Sequence, residues 1–505
     1  MEKSRTTKFL WNSVSTAMLQ IVTMIAGFIT PRVMLLMYGS EINGLVTSIT
    51  QLVSYVNLVE AGLSNAATYA LYKPLADKNQ SEINSVVSAA KLFYLQAGHL
   101  FVSIVAILTV VYPLYINSNI LSAVEVGVLV ALIGANGALE FYTLAKYRVI
   151  LTADQKTYVV SFASIVSIII NTLVVVCMAY AQASVLAMKA VALSALLART
   201  LILMYYSRKH YPNIDYKAPP NKQALNKRWD ALYLQVLGVI HRGAPVLLLT
   251  VVLKDLMLVS VYTIYNMIAT SLNNLLGIFR SGLPASFGEL IAKKETKALQ
   301  KSYGEFEFIF YKLVLIIYAV AFVMIMSFIG IYTKGINDYN YHYPIIGFLI
   351  ILDGVLYNIK TPQGMLVISA GLYKETRVQT TLQGAIALIG GAVLAVPFGI
   401  TGILVASCIS NLYRVIDLLF FIPKHVTGLP MLATVKRILI MVVSIAMIIG
   451  ICHFIPMHIN GYLSWALYAC LTGIIATVVA ALSGLLFERK EFFGVLKRLK
   501  HLVRR

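Results

Sequence analysis

Apolar runs of about twenty residues or more recur along almost the whole chain, and nearly every charge falls in the short gaps between them. No other feature restricts the fold as tightly. A segment surrounded by hydrocarbon must satisfy its own backbone hydrogen bonds, and a helix of ~20 apolar residues does this across a core ~30 Å thick. Composition agrees. Of the 505 residues, 59% are hydrophobic and only 12% are charged, whereas a soluble domain carries roughly 25% charge to wet its surface. Mean hydropathy is +0.80. The chain reads as an all-α membrane protein with about 14 transmembrane helices.

A formal charge of +20 raises nucleic acid as a partner. Distribution argues against it, because the bases cluster between apolar runs, as charges do beside an anionic leaflet. Cys177, Cys408, Cys452 and Cys470 all lie in apolar runs and form no Cys-x-x-Cys spacing. Structural disulfides and a thiolate metal site are therefore not expected, and no cofactor is implied. The opening MEKSRTTKFLWNSV puts positive charge ahead of an apolar run, as a signal peptide does. That run continues past twenty residues without a small-residue cleavage site, so it reads as a retained first helix.

Spans are expected near 9–37, 44–71, 92–112, 122–145, 157–179, 185–206, 230–253, 256–290, 313–331, 344–371, 380–397, 400–422, 434–455 and 461–486. The stretch 207–229 is the longest gap, and its prolines and charges bar insertion. Taken alternately from the N-terminus, the gaps on one side hold 32 Lys and Arg residues, and those on the other hold only Lys254 and Lys334. The positive-inside rule then places both termini in the cytoplasm of a multi-pass inner-membrane protein.

A weak internal repeat is also present. EAGLSNA at 60–66 aligns with RSGLPAS at 280–286, and LTADQK at 151–156 with SAGLYK at 369–374. The offsets, 220 and 218, imply two six-helix repeats followed by two additional helices. The expected organisation is a lobe over 1–206, a cytoplasmic linker over 207–229, a second lobe over 230–422, and two helices with a basic tail over 423–505. Parallel repeats of this kind support alternating access, one half moving against the other.

Two stretches carry a more specific likeness. YGSEINGLVTSITQLVSYVNLVEAGLSNAATYALYKPL, and YTIYNMIATSLNNLLGIFRSGLPASFGELIAKKE in the second half, resemble the polysaccharide-exporter branch of the multidrug/oligosaccharidyl-lipid/polysaccharide superfamily. That resemblance implies a flippase for undecaprenyl-linked oligosaccharides used in surface glycans. Its implied partners are membrane lipids, a polyprenyl-diphosphate-linked glycan, and a glycan polymerase or glycosyltransferases. The alternative within the same architecture is a cation-coupled drug or small-solute antiporter. That reading calls for an apolar, acidic cavity, whereas this chain has more deep bases than acids. An enzyme is not expected: there is no His-Glu-x-x-His, Walker, Rossmann or nucleophile-elbow motif in a suitable setting, and the outer loops are short.

With Lys436 and Arg437, in the first turn of the 434–455 span, counted with the gap before it, seven bases remain inside the nominal spans: Arg32, Lys189, Arg199, Arg242, Arg280, Lys360 and Arg414. A charge at mid-bilayer costs roughly 2.5–3.5 kcal/mol even on insertion scales, so such groups face partners or a wet cavity. Arg242 and Lys360 are the deepest. Asp353, Tyr357 and Lys360 fall at i, i+4 and i+7, forming either a structural seam or a polar cavity wall. Arg32 follows Pro31, where a kink would expose it. Glu60 and Arg280 occupy matching repeat positions, as an ion pair or as a cytoplasmic gate. Asp353, Glu140 and Glu60 are the acids available to couple transport to H+ or Na+, unless each merely neutralises a neighbouring base. An anionic diphosphate would need such replacement partners, with Arg binding phosphate bidentately and Lys supplying a mobile point charge.

Overall fold

The computed structural model describes residues 5–221, 228–280 and 283–495. These are almost entirely helical, with no strand among the described residues. Contacts divide the chain into two compact units, Met1–Thr263 and Ile264–Arg505.

In the first unit, α1 (Arg5–Val56) runs for 52 residues and is broken at Gly39, where φ is 84° and ψ 172°. Only glycine adopts that conformation without strain. A continuous helix of this length would reach ~78 Å, more than twice the hydrocarbon thickness. The residues after the break are polar yet buried, and each finds a partner. Glu41 accepts from Ser118 Oγ at 2.6 Å, the Asn119 amide at 2.6 Å and Asn119 Nδ2 at 3.2 Å. Asn43 donates to Ser260 Oγ at 2.7 Å. Gly44 lies against the Leu256 carbonyl so closely that a Cβ would sit 1.7 Å from its oxygen. The YGSEING stretch is thus a helix break packed into place by its own polar side chains.

A 3-10 turn (Asn57–Glu60) leads into the short α2 (Ala61–Ala76) and the long α3 (Gln80–Tyr115). The second span was expected to run to residue 71, but its helix ends at Val56. Apolar residues continue through the turn, so composition does not mark the break. α4 (Ala123–Leu139) passes through a π-helical turn, Glu140–Leu144, into α5 (Ala145–Ala153), followed by α6 (Thr157–Tyr180) and α7 (Val185–His210). α6 packs between α1 and α7, and α4 packs against α3 and α7. The 211–221 segment lies along the start of α3: Ser85 Oγ donates to the Pro219 carbonyl at 2.9 Å and Gln80 Nε2 to that of Asn213 at 3.0 Å. Beyond it, α8 (Arg228–Val251) packs on α1 and α2, which places it in the first compact unit. α9 (Leu256–Arg280) crosses from one unit into the other. The span expected over 256–290 is therefore two helices, since α10 (Leu283–Ala292) is separate.

The second unit continues with α11 (Thr296–Tyr332), α12 (Pro344–Ile359) and α13 (Thr361–Ala370). α14 (Arg377–Ala385) joins α15 (Gly391–Ile422) through a π turn, and α15 is broken at Gly399, φ 56° and ψ −139°. α16 (Met431–His453) and α17 (Tyr462–Phe487) close the unit, both packed on α11. The short helices α2 and α10, each followed by a long one, fall where the sequence repeat placed its matching segments. Among the described residues, eleven helices are long and apolar enough to cross a membrane. The chain is a multi-pass membrane protein. Two of the eleven, 47 and 51 residues long, contain the breaks at Gly39 and Gly399.

Candidate functional site

The polar centre of the second unit is built around an interrupted span. Pro362 has no N–H and its ring crowds the preceding turn, so the helix over 344–370 breaks at Lys360 between α12 and α13. Side chains cover backbone oxygens beside the break: Thr361 Oγ1 donates to the Tyr357 carbonyl at 2.9 Å, and the Tyr311 hydroxyl to that of Ile359 at 2.8 Å. Irregular backbone at membrane depth is tolerated where protein or water satisfies it.

Asp353 and Lys360 meet through an amide. Asp353 Oδ1 accepts from Ser407 Oγ at 2.8 Å and from Asn411 Nδ2 at 2.8 Å. The other end of the same amide, Asn411 Oδ1, accepts from Lys360 Nζ at 2.6 Å and Gln383 Nε2 at 3.2 Å. The orientation of Asn411 follows from its neighbours, since a carboxylate only accepts and an ammonium only donates. The face of the Tyr357 ring lies 5.1 Å from Lys360 Nζ, within cation–π range. Asn411 is 1% exposed, while Asp353, Tyr357 and Lys360 are only partly buried. The two charges over 353–360 are thus bridged by Asn411 of α15 and make no direct ion pair among the described residues. Ser407, Asn411 and Arg414 form the facing stripe at i, i+4 and i+7. Arg414 is paired with Asp417, three residues on along the same helix, at 2.5 Å.

Beside this centre, Asn358 Nδ2 lies 2.6 Å from Asn273 Oδ1, 3.0 Å from the Tyr318 hydroxyl and 2.8 Å from the Gly354 carbonyl. Arg280 folds back along its own helix, its Nη2 donating to the Asn273 carbonyl at 3.4 Å.

A second network, not anticipated from sequence, ties the last two helices to α11. Arg437 contacts Glu307 at 2.6 Å, Glu488 at 3.1 Å and Glu491 at 3.0 Å, and Lys312 contacts Glu488 at 3.1 Å. Glu307 also accepts from Tyr303 at 2.9 Å and Thr434 at 3.0 Å. Its side chain is 1% exposed. Arg437 and Lys312 lie near span ends, where the sequence alone does not separate a loop charge from a buried one.

In the first unit, Glu140 opens the π turn and pairs with Arg148 at 3.0 Å and Arg199 at 3.7 Å. Arg242 is exposed on α8 and has no hydrogen bond or ion pair among the described residues. Arg32 is partly buried in α1, one residue after Pro31. The side chain of Glu60 lies outside the described residues. Among those described, no group of three or more His, Cys, Asp or Glu residues is arranged to hold a metal ion.

No family model matches this chain, and no curated protein matches it by sequence. Solved structures do. An inward-facing multidrug resistance MATE family transporter of the MOP superfamily superposes with a TM-score of 0.65 at 13% identity, covering 84% of this chain and 99% of that one. The lipid II flippase MurJ, in an inward closed conformation, gives 0.62 at 12% identity, covering 95% and 99%. A MOP superfamily transporter from Pyrococcus furiosus, described as having a binding pocket of reversed polarity, gives 0.58 at 14% identity, covering 83% and 98%. At these identities the likeness is one of fold: the chain has the fold of MOP-superfamily transporters.

Proposed function

We propose that this protein is a flippase that moves an undecaprenyl-linked oligosaccharide, or a related polysaccharide precursor, across the bacterial cytoplasmic membrane by alternating access. One observation carries the reading. Lys360 sits at a helix break within a span, held by a neutral amide and a ring face, with a single hydrogen bond, to Asn411, among the described residues. An ammonium so placed suits an anionic head group whose charge hydrocarbon would otherwise exclude. Exposed Arg242 offers a second such contact in the first unit. The solved flippase covers more of the chain than the MATE transporter does, 95% against 84%, which agrees with two helices beyond the repeats.

The topology we adopt has fourteen crossings, with the two long helices each crossing twice about Gly39 and Gly399 and α8 crossing once. Both termini are then cytoplasmic. The coupling acid is Asp353, with H+ or Na+ as its ion. Complementation in a strain lacking the gene, read as surface glycan, tests the assignment. Lys360→Ala and Arg242→Ala at normal abundance should each reduce display, and full display by both would remove them from the transport path. The superposition on a MATE transporter favours a second reading, cation-coupled drug export. Drug resistance conferred without any effect on glycan display would establish that reading instead.

A further inference from the structure

The sequence leaves open whether H+ or Na+ serves the polar centre of the second unit, and the donor set there bears on it. A monovalent metal cation needs a cage of several oxygen acceptors. Here the groups on Asp353 Oδ1 are donors, Ser407 Oγ and Asn411 Nδ2. The nearest amide oxygen, Asn411 Oδ1, is already taken by Lys360 Nζ and Gln383 Nε2. The other nearby carboxylate, Asp417, is bound to Arg414. The four charges of this region, Asp353 and Asp417 against Lys360 and Arg414, balance without any added ion.

We infer that Lys360 is the resident cation of this centre: its tethered ammonium fills the place beside Asp353 and Asn411 that a free monovalent cation would otherwise take, so wild-type protein binds no Na+ there. The geometry explains why a lysine serves. Pro362 interrupts the helix at Lys360, whose backbone stays in the right-handed helical region, and the ammonium lies 2.6 Å from Asn411 Oδ1. Its neutral acceptor also differs from the carboxylate that holds Arg414, so the two bases are not equivalent. Arg414 is neutralised in place, whereas Lys360 compensates Asp353 through an intervening amide. Removing the ammonium should free Asn411 Oδ1 and leave Asp353 uncompensated, so that a turned Asn411 amide, the carboxylate and Ser407 Oγ form an oxygen-rich site for a small cation.

The inference deepens the proposed transport reading by removing Na+ as the ion of this centre, but its test reads ion binding and is indifferent to the cargo. Purified full-length protein in detergent is melted in NaCl, KCl and N-methylglucamine chloride at equal ionic strength. Wild type should melt at the same temperature in all three. Lys360→Met should melt lower in N-methylglucamine and rise saturably with Na+, K+ or methylammonium, by on the order of 1–3 °C at tenfold excess over the dissociation constant. Asp353→Asn combined with Lys360→Met should lose that response. A saturable Na+ shift in wild type that Asp353→Asn abolishes would overturn the inference, and this arm stands even if Lys360→Met fails to fold. A folded Lys360→Met that is blind to every cation would also overturn it.

Discussion

Replacing Arg437 with Met should destabilise the second unit more than any other single surface-to-core change in the C-terminal helices. The guanidinium makes three carboxylate contacts, at 2.6 Å to Glu307, 3.1 Å to Glu488 and 3.0 Å to Glu491. Their weights differ. Glu491 is 31% exposed, so screening leaves that contact little value. Glu488 keeps Lys312 at 3.1 Å. Glu307, 1% exposed, would keep only neutral donors from Tyr303, Thr434 and Gln363. Stranding one partner of a buried pair typically costs about 3–5 kcal/mol, and those remaining donors should hold the loss near ~3 kcal/mol. Glu307→Gln alone should cost ~1–2 kcal/mol, because its side-chain oxygen still accepts from Tyr303 and Thr434. The double variant removes the stranded charge and should be no worse than Arg437→Met, giving a coupling of ~2 kcal/mol in a double-mutant cycle. Reversible unfolding by SDS titration of purified protein measures all four. Strict additivity, or a loss below ~1 kcal/mol for Arg437→Met, would refute the view that this network anchors α16 and α17.

Three further outcomes are expected. Gly44→Ala should sharply lower membrane abundance on immunoblots, since its Cβ would meet the Leu256 carbonyl at 1.7 Å, whereas Gly27→Ala, with nothing within 4 Å, should be neutral. Glu41→Gln should cost ~1–2 kcal/mol of stability by weakening the acceptor shared by Ser118 and Asn119, read as greater protease sensitivity of the 116–122 loop. Asn411→Leu should impair glycan display more than Ser407→Ala, because it strips the acceptor of Lys360 and one donor of Asp353 together.

Lipid as solvent was legible because it acts on every residue: long apolar runs and one-sided bases carry it redundantly. The expectation of two repeats rested only on short matches around 60–66 and 280–286, whereas the compact units divide at Thr263, inside α9, where no sequence signal falls. The number of crossings was harder to read, since Gly39 and Gly399 allow one continuous helical assignment to hold two segments. At the site, Asp353 and Lys360 stood out as charges in apolar sequence. Ser407, Asn411 and Gln383 did not, because neutral polar residues cost little in a membrane helix and raise no alarm. Pro362 carried the signal for the break at Lys360. Glu307 and Arg437 lie near span ends, where a charge reads as belonging to a loop. Only three-dimensional packing reveals that they face each other.

Reconstitution into liposomes with a polyprenyl-diphosphate-linked oligosaccharide tests the proposed activity most directly, by following how fast the glycan becomes accessible on the opposite leaflet. Wild type should move it well above the protein-free rate, and Lys360→Ala should be slower by about 10–100-fold, the loss of one charge-assisted hydrogen bond. Glycan movement no faster than in empty liposomes, alongside export of a cationic dye by the same preparation, would contradict the flippase assignment.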